Sequence, residues 1–216
     1  MPKLDEEKQR ARQENILNAA ERCFSGQGFH STSMHDICRE AGISPGTLYL
    51  YFRSKEDLIA AICERERAAF AHALTTIAEA PDFMGALRQL ADAYCLDQPH
   101  SKFCFQIEVN AEALRNPAIG RTVRESDAFV VEHFKTIIEQ ARAKGRIKPA
   151  MDPQILAQIL RIVGDGVFLR RALDPEFNVK QCMDVILSLL SSAFQPVEGD
   201  KADEVVPHGD EHERVD

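Results

Sequence analysis

No uncharged apolar run among the 216 residues reaches the ~18 that a membrane helix requires, so a spanning segment is excluded. The start, Met1-Pro2-Lys3-Leu4-Asp5-Glu6-Glu7-Lys8, is charged and lacks the apolar stretch of a secretion signal, which leads us to expect a cytoplasmic protein. The six cysteines (Cys23, Cys38, Cys63, Cys95, Cys104, Cys182) are scattered and form no C-x-x-C pair. In a reducing compartment such thiols serve mainly as small buried apolar groups. His35 with Cys38, and His100 with Cys104, are spaced to meet on a helix face, but a metal site needs at least three convergent ligands and neither pair has a third. No metal and no other cofactor is therefore expected. The sequence also lacks G-x-G-x-x-G, G-x-x-x-x-G-K-[ST], G-x-S-x-G and H-E-x-x-H. Asp165, between two glycines, is the one conspicuous acid, and a lone helical carboxylate supports no catalytic mechanism. An enzyme is not expected.

Positive charge is scarce as well. The formal net charge is -8, which by itself argues against a nucleic-acid partner. Its distribution says more: through residue 60, eight bases face nine acids, so nearly all of the excess lies downstream. A DNA surface is possible only near the N-terminus, and there it must rest on placement rather than bulk charge.

Period-two alternation is absent too, and the apolar residues recur at helical spacing throughout; the expected fold is all-α. Ile16, Ala20, Cys23 and Phe24 form the stripe of a first helix over 12–25, with Gly26 and Gly28 placed to end it. Ser33-Met34-His35-Asp36 has the form of a capping box and opens a second helix that stops at Ala41-Gly42. Ser44-Pro45 supplies an N-cap and a first-turn proline for a short third helix to about Tyr51. Ser54 caps a long fourth helix from Lys55 into the seventies. Prolines and Gly145 then divide the chain into helices near 83–96, 101–114, 118–144, 154–172 and 179–194, the last two strongly apolar.

The segment from Thr32 to Phe52 is thus helix, glycine turn, short helix, which is the helix-turn-helix layout whose second helix lies in the major groove. Gly42 permits the tight turn, Ile43 can pin the two helices, and Gly46 lets the backbone approach base edges. Thr47 offers a hydroxyl and a methyl to a base, while Tyr49 and Tyr51 can reach phosphate and Lys55 adds a cation at the next helix start.

On Ile16…Ala20…Phe24…Gly28-Phe29…Thr32-Ser33-Met34…Ile37…Ala41-Gly42-Ile43-Ser44-Pro45-Gly46-Thr47-Leu48-Tyr49…Tyr51-Phe52…Ser54-Lys55-Glu56-Asp57-Leu58, the chain resembles the tetracycline-repressor (TetR) family of bacterial regulators. The likeness covers roughly residues 10–70. It implies a nine-helix protomer with a helix-turn-helix DNA-binding domain at 10–70 (motif about 33–52) and a larger ligand-binding and dimerisation domain at 71–195. It also implies a homodimer joined through the last two helices and released from DNA by a small-molecule effector. By position, the DNA contacts would fall on Thr32, Ser33, Ser44, Pro45, Gly46, Thr47, Tyr49, Tyr51 and Lys55. Pro45 stands where the family often has a polar or charged residue, and proline there can only pack.

For the second half, a pocket is expected among Phe103, Cys104, Phe105, Glu108, Phe129, Phe134 and Phe168, because ligand sites are mostly apolar with a few polar anchors. A dimer seam is expected on Leu160, Val163, Val167, Met183, Ile186, Leu187 and Leu190, since two helices this apolar suit a symmetric four-helix contact. Gly164 and Gly166 weaken a helix interior, which the close approach of a neighbouring helix would justify. Residues 196–216 are polar and acidic and are expected to be a disordered tail. The resulting reading is a ligand-responsive regulator of a palindromic double-stranded DNA operator, most simply a repressor. Activation on the same scaffold, or a helical interaction protein that does not bind DNA, stand as alternatives.

Overall fold

A computed structural model describes residues 2–197, and all regular structure among them is helical. The elements are α1 (Pro2–Gln27), α2 (Met34–Ala41), α3 (Pro45–Tyr51), α4 (Lys55–Glu79), α5 (Phe83–Cys95), α6 (His100–Ala113), α7 (Pro117–Ala143), α8 (Pro153–Leu173) and α9 (Val179–Phe194). Local chemistry sets most of the ends. Asp82, Asn116, Asp152 and Asn178 each accept a backbone N–H from the first turn of the helix they precede, satisfying donors that a helix start leaves open. Gly28 and Gly145 take positive φ after α1 and α7, a conformation glycine enters without steric cost. Gly26 lies inside α1 rather than ending it, and α1 starts earlier than its apolar stripe because nothing between Lys3 and Ser25 breaks a helix.

Two clusters make up the core. The first gathers Ile16, Ala20 and Phe24 of α1, Ile37 of α2, Leu48 of α3 and Leu58 and Ile62 of α4. It is completed by Phe105 and Val109 of α6 and Ile119 of α7, so the N-terminal unit is built onto the larger one. The second cluster joins α4, α5, α7, α8 and α9 around Leu87, Phe134, Ile138, Leu156, Leu187 and Phe194. Arg65 of α4 ties α1 down, donating to Glu14 (3.1 Å), Asn18 (2.9 Å) and Glu21 (2.5 Å). After α9 the chain is still held: Ile147 bridges Pro196, and Val197 N donates to Arg146 O at 2.8 Å. The start of the expected acidic tail is therefore docked, and its remainder, 198–216, lies outside the described residues.

Candidate DNA-binding surface and effector cavity

The turn between α2 and α3 is built from a few local bonds. Ser33 Oγ accepts from Asp36 N while the Asp36 carboxylate accepts from Ser33 N, closing the capping box. The Ser33 hydroxyl, 2.6 Å from Asp36 Oδ2, and then the Ser33 N–H both donate to that carboxylate and, ahead of the charge of Arg39, hold it below its usual range. Gly42 adopts φ 66 and its N–H returns to Arg39 O and Cys38 O, stopping α2. Ile43 N bonds Cys38 O at 3.0 Å. Ser44 Oγ then accepts from Thr47 N (3.2 Å) and lies 2.9 Å from Thr47 Oγ1, so the first turn of α3 is pre-formed.

Leu48, fully buried, anchors α3 to α1 and α2. The opposite face is open: Pro45, Gly46, Tyr49 and Leu50 are exposed, and Thr47 is half-buried. Nothing lies closer than 4.0 Å to a Cβ built on Gly46, which leaves its backbone free for close approach. Leu50, 84% exposed, was missed by the sequence reading. An apolar residue standing out among buried leucines carries no signal in periodicity alone. Tyr51 is half-buried beside Phe52.

Two of the residues expected at the DNA make bonds within the protein. Thr32 is buried at 1% exposure, and its hydroxyl donates to Cys23 O (3.1 Å) and Gly28 O (2.8 Å). It splices the α1 end to the α2 start instead of facing DNA. Lys55 Nζ donates to Phe29 O at 2.5 Å and sits 4.1 Å over the Phe29 ring, so it braces the 28–33 segment at the edge of the surface.

The same segment meets α6. Phe29 N donates to Glu108 Oε1 at 2.6 Å, and His30 Nε2 lies 2.8 Å from Oε2 of Glu112, a carboxylate with only 3% exposure. Asn116 Nδ2 also donates to Glu56 Oε1 of α4 at 3.0 Å. Glu108, expected in a pocket, is instead part of this junction.

A cavity of about 230 Å³ opens among α4, α5, α6, α7 and α8. Phe70, Leu87, Leu90, Tyr94, Phe134 and Phe168 furnish apolar wall, with Met183 and Leu187 of α9. Glu66, Arg67, Lys102, Ser126, Arg161 and Asp165 supply a polar region, joined by Glu21 of α1. Its cations are internally paired: Lys102 with Glu66, Arg67 with Ser126 Oγ at 2.9 Å, and Arg161 with Asp165 and, at 2.7 Å, Asp127. Burial raises the Asp165 carboxyl above its ordinary value despite Arg161. Burial also pushes the cavity thiols of Cys63 and Cys95 up to about 11, so both stay protonated and unreactive near neutral pH.

Of the expected pocket residues, Phe105, Phe134 and Phe168 line this space. Phe103 stands behind the wall, fully buried, edge-on to Phe168 at 5.0 Å with the Arg171 guanidinium over its ring. Cys104 turns to His100 at 3.3 Å, and Phe129 stacks on His133 at 3.8 Å. An aromatic count cannot separate such roles, because adjacent helix positions point in different directions. Among the described residues no three His, Cys, Asp or Glu side chains are grouped to hold a metal ion.

The residues expected in a dimer seam pack within the protomer. Leu160, Val167, Met183, Leu187 and Leu190 are buried within the protomer, and Val163 and Ile186 pack against the same core. The residues left bare are Ile155, Ile162, Leu169 and Leu173 on α8 and Val185 and Leu189 on α9. These helices are apolar on two sides, and the sequence reading chose the side that folding itself consumes.

A helix-turn-helix set on a larger helical body, with an interior cavity whose walls touch the DNA-binding unit, defines a DNA-binding transcription regulator. The chain belongs to the tetR family of bacterial regulatory proteins: residues 16–62 match that family, and residues 85–195 match the C-terminal part of BetI-type transcriptional repressors. It is 32% identical over 155 residues to the HTH-type transcriptional regulator UidR of Escherichia coli K12, spanning 70% of this chain and 77% of UidR. The HTH-type transcriptional repressor Rv1474c of Mycobacterium tuberculosis is 23% identical over 172 residues, 80% of this chain and 88% of that protein. Among solved structures, Salmonella enterica GusR superposes with a TM-score of 0.73 at 27% identity, over 86% of this chain and 96% of its own. The family and these relatives are regulators of transcription, not enzymes.

Proposed function

We propose that this protein is a cytoplasmic repressor that holds a palindromic operator as a homodimer and releases it when a small amphipathic molecule enters the cavity. The observation that carries this reading is the double role of α6. Its Lys102, Phe105 and Gln106 line the cavity, while one to two turns further on Glu108 accepts from Phe29 N and Glu112 lies beside His30 of the DNA-binding unit. A ligand that displaces α6 shifts that junction. The fourth helix adds a second route, since Lys55 braces the DNA-binding unit at its start while Cys63 to Phe70 form cavity wall.

Base edges are read by Gly46, Thr47, Tyr49 and Leu50 on the open face of α3, with Pro45 packing alongside. Ser33, Ser44, Tyr51 and Lys55 border the phosphates. The partner copy packs on the bare face of α8 and α9, and two recognition helices then enter the groove one helical turn apart, roughly 34–36 Å or a multiple of it. In this arrangement a ligand that loosens DNA a hundredfold needs a coupling free energy of ~2.7 kcal/mol. The test is binding of the purified protein to DNA upstream of its own gene, with and without compounds from a screen. Ligand affinity is then measured by calorimetry with and without operator. Reciprocity requires the same factor in both directions; equal ligand affinity with and without DNA refutes release by that compound.

A further inference from the structure

Glycine is the poorest residue for a helix interior after proline, so one placed there needs a reason. Gly120 of α7 has one: a Cβ there would come within 2.8 Å of the Ala113 carbonyl oxygen. Gly164, in the middle of α8, has no such neighbour; a Cβ built on it meets nothing within 4 Å. The close helix approach expected from sequence is thus absent in the protomer. What Gly164 does is line the cavity, on one helical stripe between Leu160 one turn before it and Phe168 one turn after, both of which also line it. Its missing side chain leaves a notch between a leucine and an aromatic ring. Arg161 and Asp165, flanking the stripe, mark where the wall turns polar. Gly166, exposed and equally uncrowded, sits on the other face with Ile162, Leu169 and Leu173 and does not touch this space.

We propose that Gly164 sets the girth of the effector, its notch admitting a ring-sized apolar group beside Leu160 and Phe168 that any larger residue at 164 excludes. The inference rests on the cavity being the effector site. A side chain added at 164 would lean toward the preceding turn, narrowing the cavity at the level of Leu160, and its Cβ at least would displace no protein atom. An extra methyl or two in an apolar pocket changes ligand binding by about tenfold or more. A slender chain that bypasses the notch should be spared.

The experiment uses the full chain and two fluorescent probes, N-phenyl-1-naphthylamine as the broad one and cis-parinaric acid as the slender one. Variants are Gly164→Ala, Gly164→Leu and, at a different part of the wall, Ala91→Phe. The expected result is that Gly164→Leu loses about tenfold or more for the naphthylamine and little for the fatty acid. Gly164→Ala falls between it and the parent, and Ala91→Phe weakens both probes. Gly164→Ala should melt at or above the parent temperature, since helix propensity rises and a Cβ there meets open space. If Gly164→Leu leaves naphthylamine binding intact, or weakens both probes equally, while Ala91→Phe lowers binding, the girth role is overturned and the cavity remains the ligand site. A lower melting temperature for Gly164→Ala also overturns it, because the space would not be free. If the parent binds neither probe, or Ala91→Phe changes neither, the cavity reading itself fails and the role of Gly164 falls with it.

Discussion

Placing one aspartate on each side of α8–α9 separates the protomer core from the dimer seam. Leu187 is 6% exposed among Met183, Leu190 and Leu87. Leu187→Asp forfeits about 2 kcal/mol of apolar burial and adds an unpaired carboxylate costing several more. Against a typical domain stability of about 5–15 kcal/mol, that variant should unfold or melt far below the parent. Ile162 is 68% exposed, so Ile162→Asp should leave the protomer's melting within about 1 kcal/mol of the parent. In a two-fold dimer the same change enters the seam twice. Losing about 2 kcal/mol of burial in each copy weakens the dimer by roughly a thousandfold or more. Sedimentation velocity across a concentration series, with circular-dichroism melting alongside, reads both quantities. The Ile162→Asp protein should be a folded monomer that has lost tight operator binding. A dimeric Ile162→Asp protein would remove the bare face from the seam. A stable Leu187→Asp protein would refute the packing of α9 described above.

Lys55→Ala removes the bond to Phe29 O and the cation over the Phe29 ring, so melting should fall by about 1–2 kcal/mol. If the lysine also neutralises a phosphate, the salt slope of DNA binding drops by about one unit; unchanged melting would contradict the bracing role. Glu108→Ala frees Phe29 N from its α6 acceptor, and the ratio of operator affinities without and with effector should shrink toward one; an undiminished ratio means that the signal travels elsewhere. Cys95 keeps its proton in the fold up to about 11, against 9.0 ordinarily. Above pH 9 the unfolded chain loses that proton first, so stability falls between pH 9 and 11 by about 2–3 kcal/mol from this thiol. Urea midpoints at pH 8 and 10.5 should diverge less in Cys95→Ala than in the parent, and identical divergence would show the thiol to be unburied.

The DNA-binding unit was legible because its determinants are local. Ser33 with Asp36, Gly42, and Ser44 with Thr47 each act within three or four residues, and each does in the structure what its spacing suggests. Thr32 misled because a polar residue beside a cap looks exposed, and only the α1–α2 crossing shows that its hydroxyl is spent on two carbonyls. The larger domain was legible as helices but not as faces. On α8 and α9 apolar residues cover more than half the circumference, and period alone does not say which side meets the protomer's own core. Apart from Asp165, the cavity's polar residues were invisible for a related reason. Glu66 and Lys102, or Arg67 and Ser126, lie 36 and 59 positions apart and come together only when α4 packs against α6 and α7.

Charge distribution bears on how a ligand could switch such a protein. The open face of α3 carries no charged side chain: Pro45, Gly46, Tyr49 and Leu50 offer shape, a hydroxyl and apolar surface. Of the nearby bases, Arg39 pairs with Asp36, Arg22 with Glu40 and Lys55 with Phe29 O, while Arg53, just past the end of α3, is exposed. Phosphate neutralisation supplies much of the affinity of DNA-binding proteins, so on the proposed reading a half-site with few free cations is held less tightly. Two weak contacts joined in a dimer bind well only while their separation fits the operator, because the second contact is then made at high effective concentration. In the proposed switch, a small shift at the α6 junction would change that separation and remove the joint advantage without abolishing either contact. In that scheme the dimer spacing is the quantity on which the ligand acts, and the Glu108 carboxylate, bonded to Phe29 N between the cavity-lining part of α6 and the 28–33 segment, is the contact through which it would act.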